Sequence, residues 1–140
     1  MNEKEELLAK IDRLEENLNK LKSLAEMDRE ELLDDFRNIE ASKHLLQTSI
    51  EIMIDISNML IARRRLGQAD TNAEAFIILA QNDIISQENQ EKYAVMARFR
   101  NRVVHMYDSV NETEIYDILN NNLEDFRLFI KEVLELTAEK

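Results

Sequence analysis

Apolar residues recur along this chain at helical spacing. Leu7, Ile11, Leu14, Leu18 and Leu21 advance in steps of four, three, four and three. This predicts a helix over roughly residues 3–24, within an acidic N-terminal segment 1–27, carrying one apolar seam. The heptads are few, so the seam is expected to dock on the chain's own domain rather than build a free-standing coiled coil. Asp28 can cap a second segment, with Glu30 and Glu31 favourable in its first turn. The pattern from Asp28 to Ile61 is compatible with one long helix or with a break near Asn38.

The later part of that segment has two apolar stripes. Leu46, Ile50, Met53, Ile54, Leu60 and Ile61 form one, and Leu45, Ile52, Ile56 and Met59 form the other. They lie roughly 130° apart at about 100° per residue. Such a helix must be covered on more than one side, in the centre of a bundle or at a subunit interface. Arg63, Arg64 and Arg65 followed by Gly67 read as a helix C-terminus, with cations at the negative dipole end and a glycine cap; a phosphate-binding contribution is the alternative. Thr71 or Asn72 can cap a short helix, Ala73 to Gln81. Ser86 can open the next helix, covering about residues 87–108. Ser109 with Glu112 three later fits a capping box, ahead of a last helix carrying Ile115 through Leu136.

Composition narrows the class. The chain has 140 residues, 44% of them hydrophobic, with no Pro and one Gly. That is enough for one domain over residues 1–140 with its own core, and too few turn residues for an all-β fold. With no Cys there is neither a disulfide framework nor a thiolate zinc site. Two distant His residues make a structural metal site a poor expectation. The net charge of −11 argues against broad coating of nucleic acid, while leaving room for a local basic pocket. The first residues are polar and acid-rich, and the apolar stretch around residues 50–62 is broken by Glu51, Asp55, Ser57 and Asn58. A cytoplasmic protein without a membrane span is therefore expected.

Candidate chemistry concentrates in Arg100-Asn101-Arg102-Val103-Val104-His105-Met106-Tyr107. Lys92, Arg98, Arg100 and Arg102 precede His105 with no acid between Lys92 and Tyr107, the most basic part of an acidic chain. Arginine holds phosphate bidentately, and histidine moves protons near pH 7. Together they point to chemistry at a phosphodiester. Asn101 and His105 share a helical face, with Arg98 and Arg102 flanking it. Arg100 and His105 would point about 140° apart in an ideal helix at about 100° per residue. Either the helix loosens at the motif, or two copies meet and the pocket is composite. His44, on a polar strip with Glu51 and Asp55, reads as a surface residue.

The Arg-x4-His-x-Tyr pattern of Arg100, His105 and Tyr107, with Asn101 after the Arg, resembles the signature of the HEPN superfamily. It is most similar to the HepT branch found in minimal-nucleotidyltransferase toxin–antitoxin pairs. The likeness extends over AVMARFRNRVVHMY (94–107), LLQTSIEIMIDISNMLIA (45–62) and NAEAFIILA (72–80), and roughly over residues 40–136. It implies an all-α, HEPN-like antiparallel bundle of about five helices that dimerises with two motifs at a shared cleft. It further implies metal-independent endoribonuclease activity with no cofactor. His105 would be the general acid/base, Arg100 the group stabilising the phosphorane, and Asn101 and Arg102 would support them. A cognate nucleotidyltransferase antitoxin would transfer AMP to Tyr107. Two other readings are a non-catalytic substrate-binding subunit of a nucleotidyltransferase and a structural dimeric helical adaptor.

Overall fold

The computed structural model describes residues 1–138, and every regular element among them is helical. In chain order they are α1 (Glu3–Ala25), α2 (Arg29–Asp34), α3 (Phe36–Arg64), α4 (Asn72–Gln81), α5 (Gln87–His105), a single 3-10 turn (Tyr107–Ser109), α6 (Glu112–Asn121) and α7 (Leu123–Ala138). The expected all-α bundle is present. Its helices number seven because two expected ones are interrupted. The second breaks at Asp35, which leaves the helical region at φ −123°, ψ 109° and caps α3 by accepting from the Arg37 amide. The last breaks at Asn122, where the α6 cap lies outside the helical region.

Helix α1 buries Leu7, Ile11, Leu14, Leu18, Leu21 and Leu24, so its seam docks on its own chain. Its main partner is α3, packed antiparallel. Glu3 pairs with Arg64, Glu6 with Arg63, Lys10 with Asp55, and Asn17 donates to Thr48. Arg63 also donates to the Met1 carbonyl at 2.9 Å. Two members of the arginine triplet therefore fasten the start of α1. The third, Arg65, closes α3 in the left-handed region at φ 55°, ψ 51°. The expected glycine cap is thus supplied two residues early by an arginine.

Both stripes of α3 are covered from within the chain. Leu46, Met53, Ile56 and Leu60 are fully buried, and Ile52 and Met59 nearly so, beneath α1, α4 and α5. The two-sided apolar character reflects a central helix, so the stripes do not argue for a subunit interface. By length and hydropathy α3 could cross a membrane, but more than half of its apolar window is buried in the bundle. At the far side Phe76, Tyr93 and Phe129 meet at centroid distances of 5.2–6.1 Å and lock α4, α5 and α7 together.

Candidate active site

Helix α5 carries the motif and is fixed at both ends. Ser86 caps its start by accepting from the Asn89 amide at 3.1 Å. Tyr93, Met96, Phe99 and Val103 bury its inner side. Met106 stops the helix: its backbone turns to φ −136°, ψ 51°, and its amide donates to the Arg102 carbonyl at 2.7 Å. The helix thus ends on His105, three residues short of the expected boundary, and Tyr107 stands on the separate 3-10 turn. Arg100 and His105 both remain within regular helix, so loosening does not swing them onto one line.

Arg100 is partly buried against α3. Its Nε donates to Glu51 Oε2 at 3.0 Å, Nη2 lies 2.9 Å from the same oxygen, and Nη1 donates to Asn101 Oδ1 at 3.2 Å. A guanidinium has five N–H groups, so donors remain on its terminal nitrogens for a further acceptor. Asn101 therefore orients Arg100. His105 is exposed, and no hydrogen bond reaches its imidazole among the described residues. Exposed Val104 and Met106 flank it in sequence.

Arg102 is differently employed. It forks onto Glu114 with two contacts of 2.7 Å and donates to the Ser109 carbonyl at 2.9 Å. This braces the end of α5 against α6. Ser109 does not cap α6 as its spacing suggested; Asn111 does, by accepting from the Glu114 amide at 2.9 Å. His44 is exposed.

Tyr107 is 44% exposed, yet it is docked. Its hydroxyl donates to Glu40 Oε2, and the Lys43 ammonium lies 3.9 Å from its ring centroid. That hydrogen bond, with some burial and the charges of Glu40 and Asp108, holds the phenol above the usual tyrosine range. Helix α3 therefore supports both ends of the motif, Glu51 at Arg100 and Glu40 with Lys43 at Tyr107, and runs antiparallel to α5. Glu40 and Glu51 are eleven residues apart, or about 16 Å along a helix. Glu40 and Lys43 are not marked by the sequence reading, and Glu51 enters it only as a polar-strip residue beside His44, not as a partner of the motif. The available signal is a polar stripe, Glu40, Lys43, Gln47 and Glu51, within about 80° of arc on an otherwise apolar helix at about 100° per residue.

A cavity of about 440 Å³ lies between α3, α5, α6 and α7, walled by Leu46, Ile50, Met96, Phe99 and Phe126. Arg102 reaches its lining, but Arg100, His105 and Tyr107 do not. The candidate chemistry is on an open face, not in this cavity.

The bundle and the exposed motif at the end of α5 are those of a HEPN-type protein. The tri-AMPylated Shewanella oneidensis HEPN toxin, solved in complex with MNT antitoxin, matches with a TM-score of 0.86 at 27% identity, covering 99% of this chain and 100% of that one. The family described as Ribonuclease HepT-like matches residues 14–133, and the chain belongs to that family. Among its relatives, the tRNA nuclease HepT of Aphanizomenon flos-aquae is 27% identical over 116 residues, 83% of this chain and 79% of the relative. The mRNA nuclease HepT of Shewanella oneidensis is 34% identical over 85 residues, 61% of this chain and 64% of the relative.

Proposed function

We propose that this chain is an endoribonuclease toxin acting in the cytoplasm as a single HEPN domain over residues 1–140, its Arg100–His105 site completed by a second copy. The observation that carries this reading is the state of Arg100: tethered by Glu51 and Asn101 with donors to spare, in the turn before an exposed His105. In the reaction, a ribose 2′-oxygen attacks the adjacent phosphorus and the 5′-oxygen leaves, giving a 2′,3′-cyclic phosphate. One His105 takes the 2′-hydroxyl proton, and the second copy's His105 protonates the leaving oxygen. Arg100 meets the charge that gathers on the phosphorane oxygens. No step is assigned to a metal or cofactor. Exposed Val104 and Met106 offer the apolar contact through which two α5 ends meet.

The same reading assigns neutralisation to a nucleotidyltransferase antitoxin that transfers AMP to Tyr107. Support comes from the AMPylated toxin–antitoxin complex that matches over nearly the whole chain and from the exposure of the Tyr107 turn. An AMP group there adds negative charge and bulk beside the RNA path. The test is direct. The purified chain is expected to cut RNA in the presence of a chelator and to leave cyclic phosphate ends. Co-expression with a cognate nucleotidyltransferase antitoxin is expected to add adenylyl mass to the wild type and to remove that cleavage. Linear 3′-phosphate ends formed without a cyclic intermediate, or no cleavage at all, would overturn it.

A further inference from the structure

We propose that Glu40 is the proton acceptor for nucleotidyl transfer to Tyr107, so that this chain, the substrate of the transfer, supplies the catalytic base for its own modification. The inference rests on the reading of Tyr107 as the AMP acceptor. Glu40 Oε2 already accepts the hydrogen bond from the Tyr107 hydroxyl, so the base and the nucleophilic oxygen are in contact before any partner arrives. A tyrosine hydroxyl has an ordinary pKa of about 10, and beside Glu40 it is held higher still. It therefore reaches the reaction as a neutral phenol whose proton must leave during attack. The group facing that proton is the Glu40 carboxylate.

The step balances with a nucleoside triphosphate as co-reactant. Tyr107 Oη forms a bond to the α-phosphorus of ATP, the bond from that phosphorus to the bridging oxygen of the β-phosphate breaks, and pyrophosphate departs. The phenolic proton passes to Glu40. Lys43, one helical turn from Glu40 and buried, presents its ammonium to the Tyr107 ring. It is a positioning residue: it holds the ring in place while favouring negative charge as it develops on the oxygen. Glu40 itself is exposed, so its carboxylate is accessible on the surface where a partner must dock, and its substitution leaves the core intact.

The experiment uses this chain with its cognate nucleotidyltransferase and labelled ATP, comparing initial rates for the wild type, Glu40→Gln, Glu40→Asp and Tyr107→Phe. Glu40→Gln keeps a hydrogen-bond acceptor and loses the base, so labelling is expected to slow by about 10²–10⁴-fold, the usual contribution of a positioned general base. Glu40→Asp is expected to recover part of that rate. In the isolated chain, the Tyr107 phenol pKa, followed by carbon-13 NMR, is expected to fall in Glu40→Gln. Wild-type labelling rates in Glu40→Gln, with Tyr107→Phe unlabelled, would overturn the role of Glu40 and leave the acceptor assignment standing. Full labelling of Tyr107→Phe would remove the acceptor assignment and, with it, the proposal. A slow Glu40→Gln that Asp does not rescue, with an unmoved Tyr107 pKa, would reduce Glu40 to a docking contact and also overturn it.

Discussion

One carboxylate oxygen of Glu51 meets two nitrogens of Arg100, at 3.0 and 2.9 Å. This contact crosses from α3 to α5 and fixes the direction in which the guanidinium presents its other donors. Charge-assisted contacts of this kind are shorter and stronger than neutral ones. Both side chains remain partly exposed, so their net effect on stability is expected to be at most about 1 kcal/mol. Their importance is therefore in orientation. Glu51→Ala is expected to lower RNA cleavage by about 10²-fold, the effect of a misplacement near 1 Å, with an almost unchanged melting temperature. A cleavage rate equal to wild type in Glu51→Ala would show that Arg100 needs no tether.

His105→Ala and Arg100→Ala should separate function from folding more sharply. His105 is exposed at the end of its helix, and surface substitutions usually change stability by about 0.5 kcal/mol or less. Removing the general acid/base is expected to cost about 10²–10⁴-fold in cleavage. Removing the group that meets the phosphorane is expected to cost about 10²–10³-fold. Both variants should show wild-type circular dichroism. Retained cleavage in purified His105→Ala would end its assignment as acid/base.

The continuous helix between Arg100 and His105 leaves their side chains about 140° apart by the regular turn of about 100° per residue. A composite site in a homodimer resolves that offset. Sedimentation at micromolar concentration is expected to show a dimer. Val104→Asp, at an exposed position beside His105, is expected to give a folded monomer with little cleavage. A monomeric wild type that still cuts RNA would exclude the shared site.

Tyr93 predicts an alkaline weakness. Burial, then its hydrogen bond to Glu132 and the charges of Glu132 and Asp125, push its phenol well above the usual range. The folded state therefore holds this proton more tightly than the unfolded state does. Its contribution is fully present below the unfolded tyrosine pKa of about 10 and is lost as pH rises from there toward the folded value. Between those limits stability should fall by up to about 1.4 kcal/mol per pH unit for this group. Tyr107, also shifted upward, acts in the same direction from an exposed site. Urea unfolding of Tyr93→Phe between pH 9.5 and 11 should show a shallower decline than wild type. Parallel slopes would mean that Tyr93 ionises as easily folded as unfolded.

Much of the bundle is legible in the sequence because helical periodicity reports burial directly. The α1 seam falls where its spacing places it, and α5 buries Tyr93, Met96, Phe99 and Val103 but leaves Met106 outside the helix and exposed. The break at Asp35 realises the interruption left open near Asn38, whereas the break at Asn122 is harder to foresee. Neither has a Pro or Gly nearby; the first is marked by the Asp35 cap on the Arg37 amide and the second by the non-helical backbone of Asn122. The motif's residues are visible as a string, but their supports are not. Glu51 lies 49 residues before Arg100 and Glu40 lies 67 before Tyr107, and only the packing of α3 against α5 joins them. The twin stripes of α3 show the complementary case: periodicity reports that both sides are covered, and the packing selects the centre of the bundle over a subunit interface.

The bond between Tyr107 and Glu40 has a further consequence under the proposed modification. An esterified phenol has no hydrogen to donate, and it gains a phosphate anion within reach of the same carboxylate. Glu40 would then pass from anchor to repellent. The modified side chain, carried on a short turn separate from α5, would be ejected from its berth toward the open face. Silencing of this kind needs no refolding, since a single acid holds the unmodified tyrosine down and drives the modified one out.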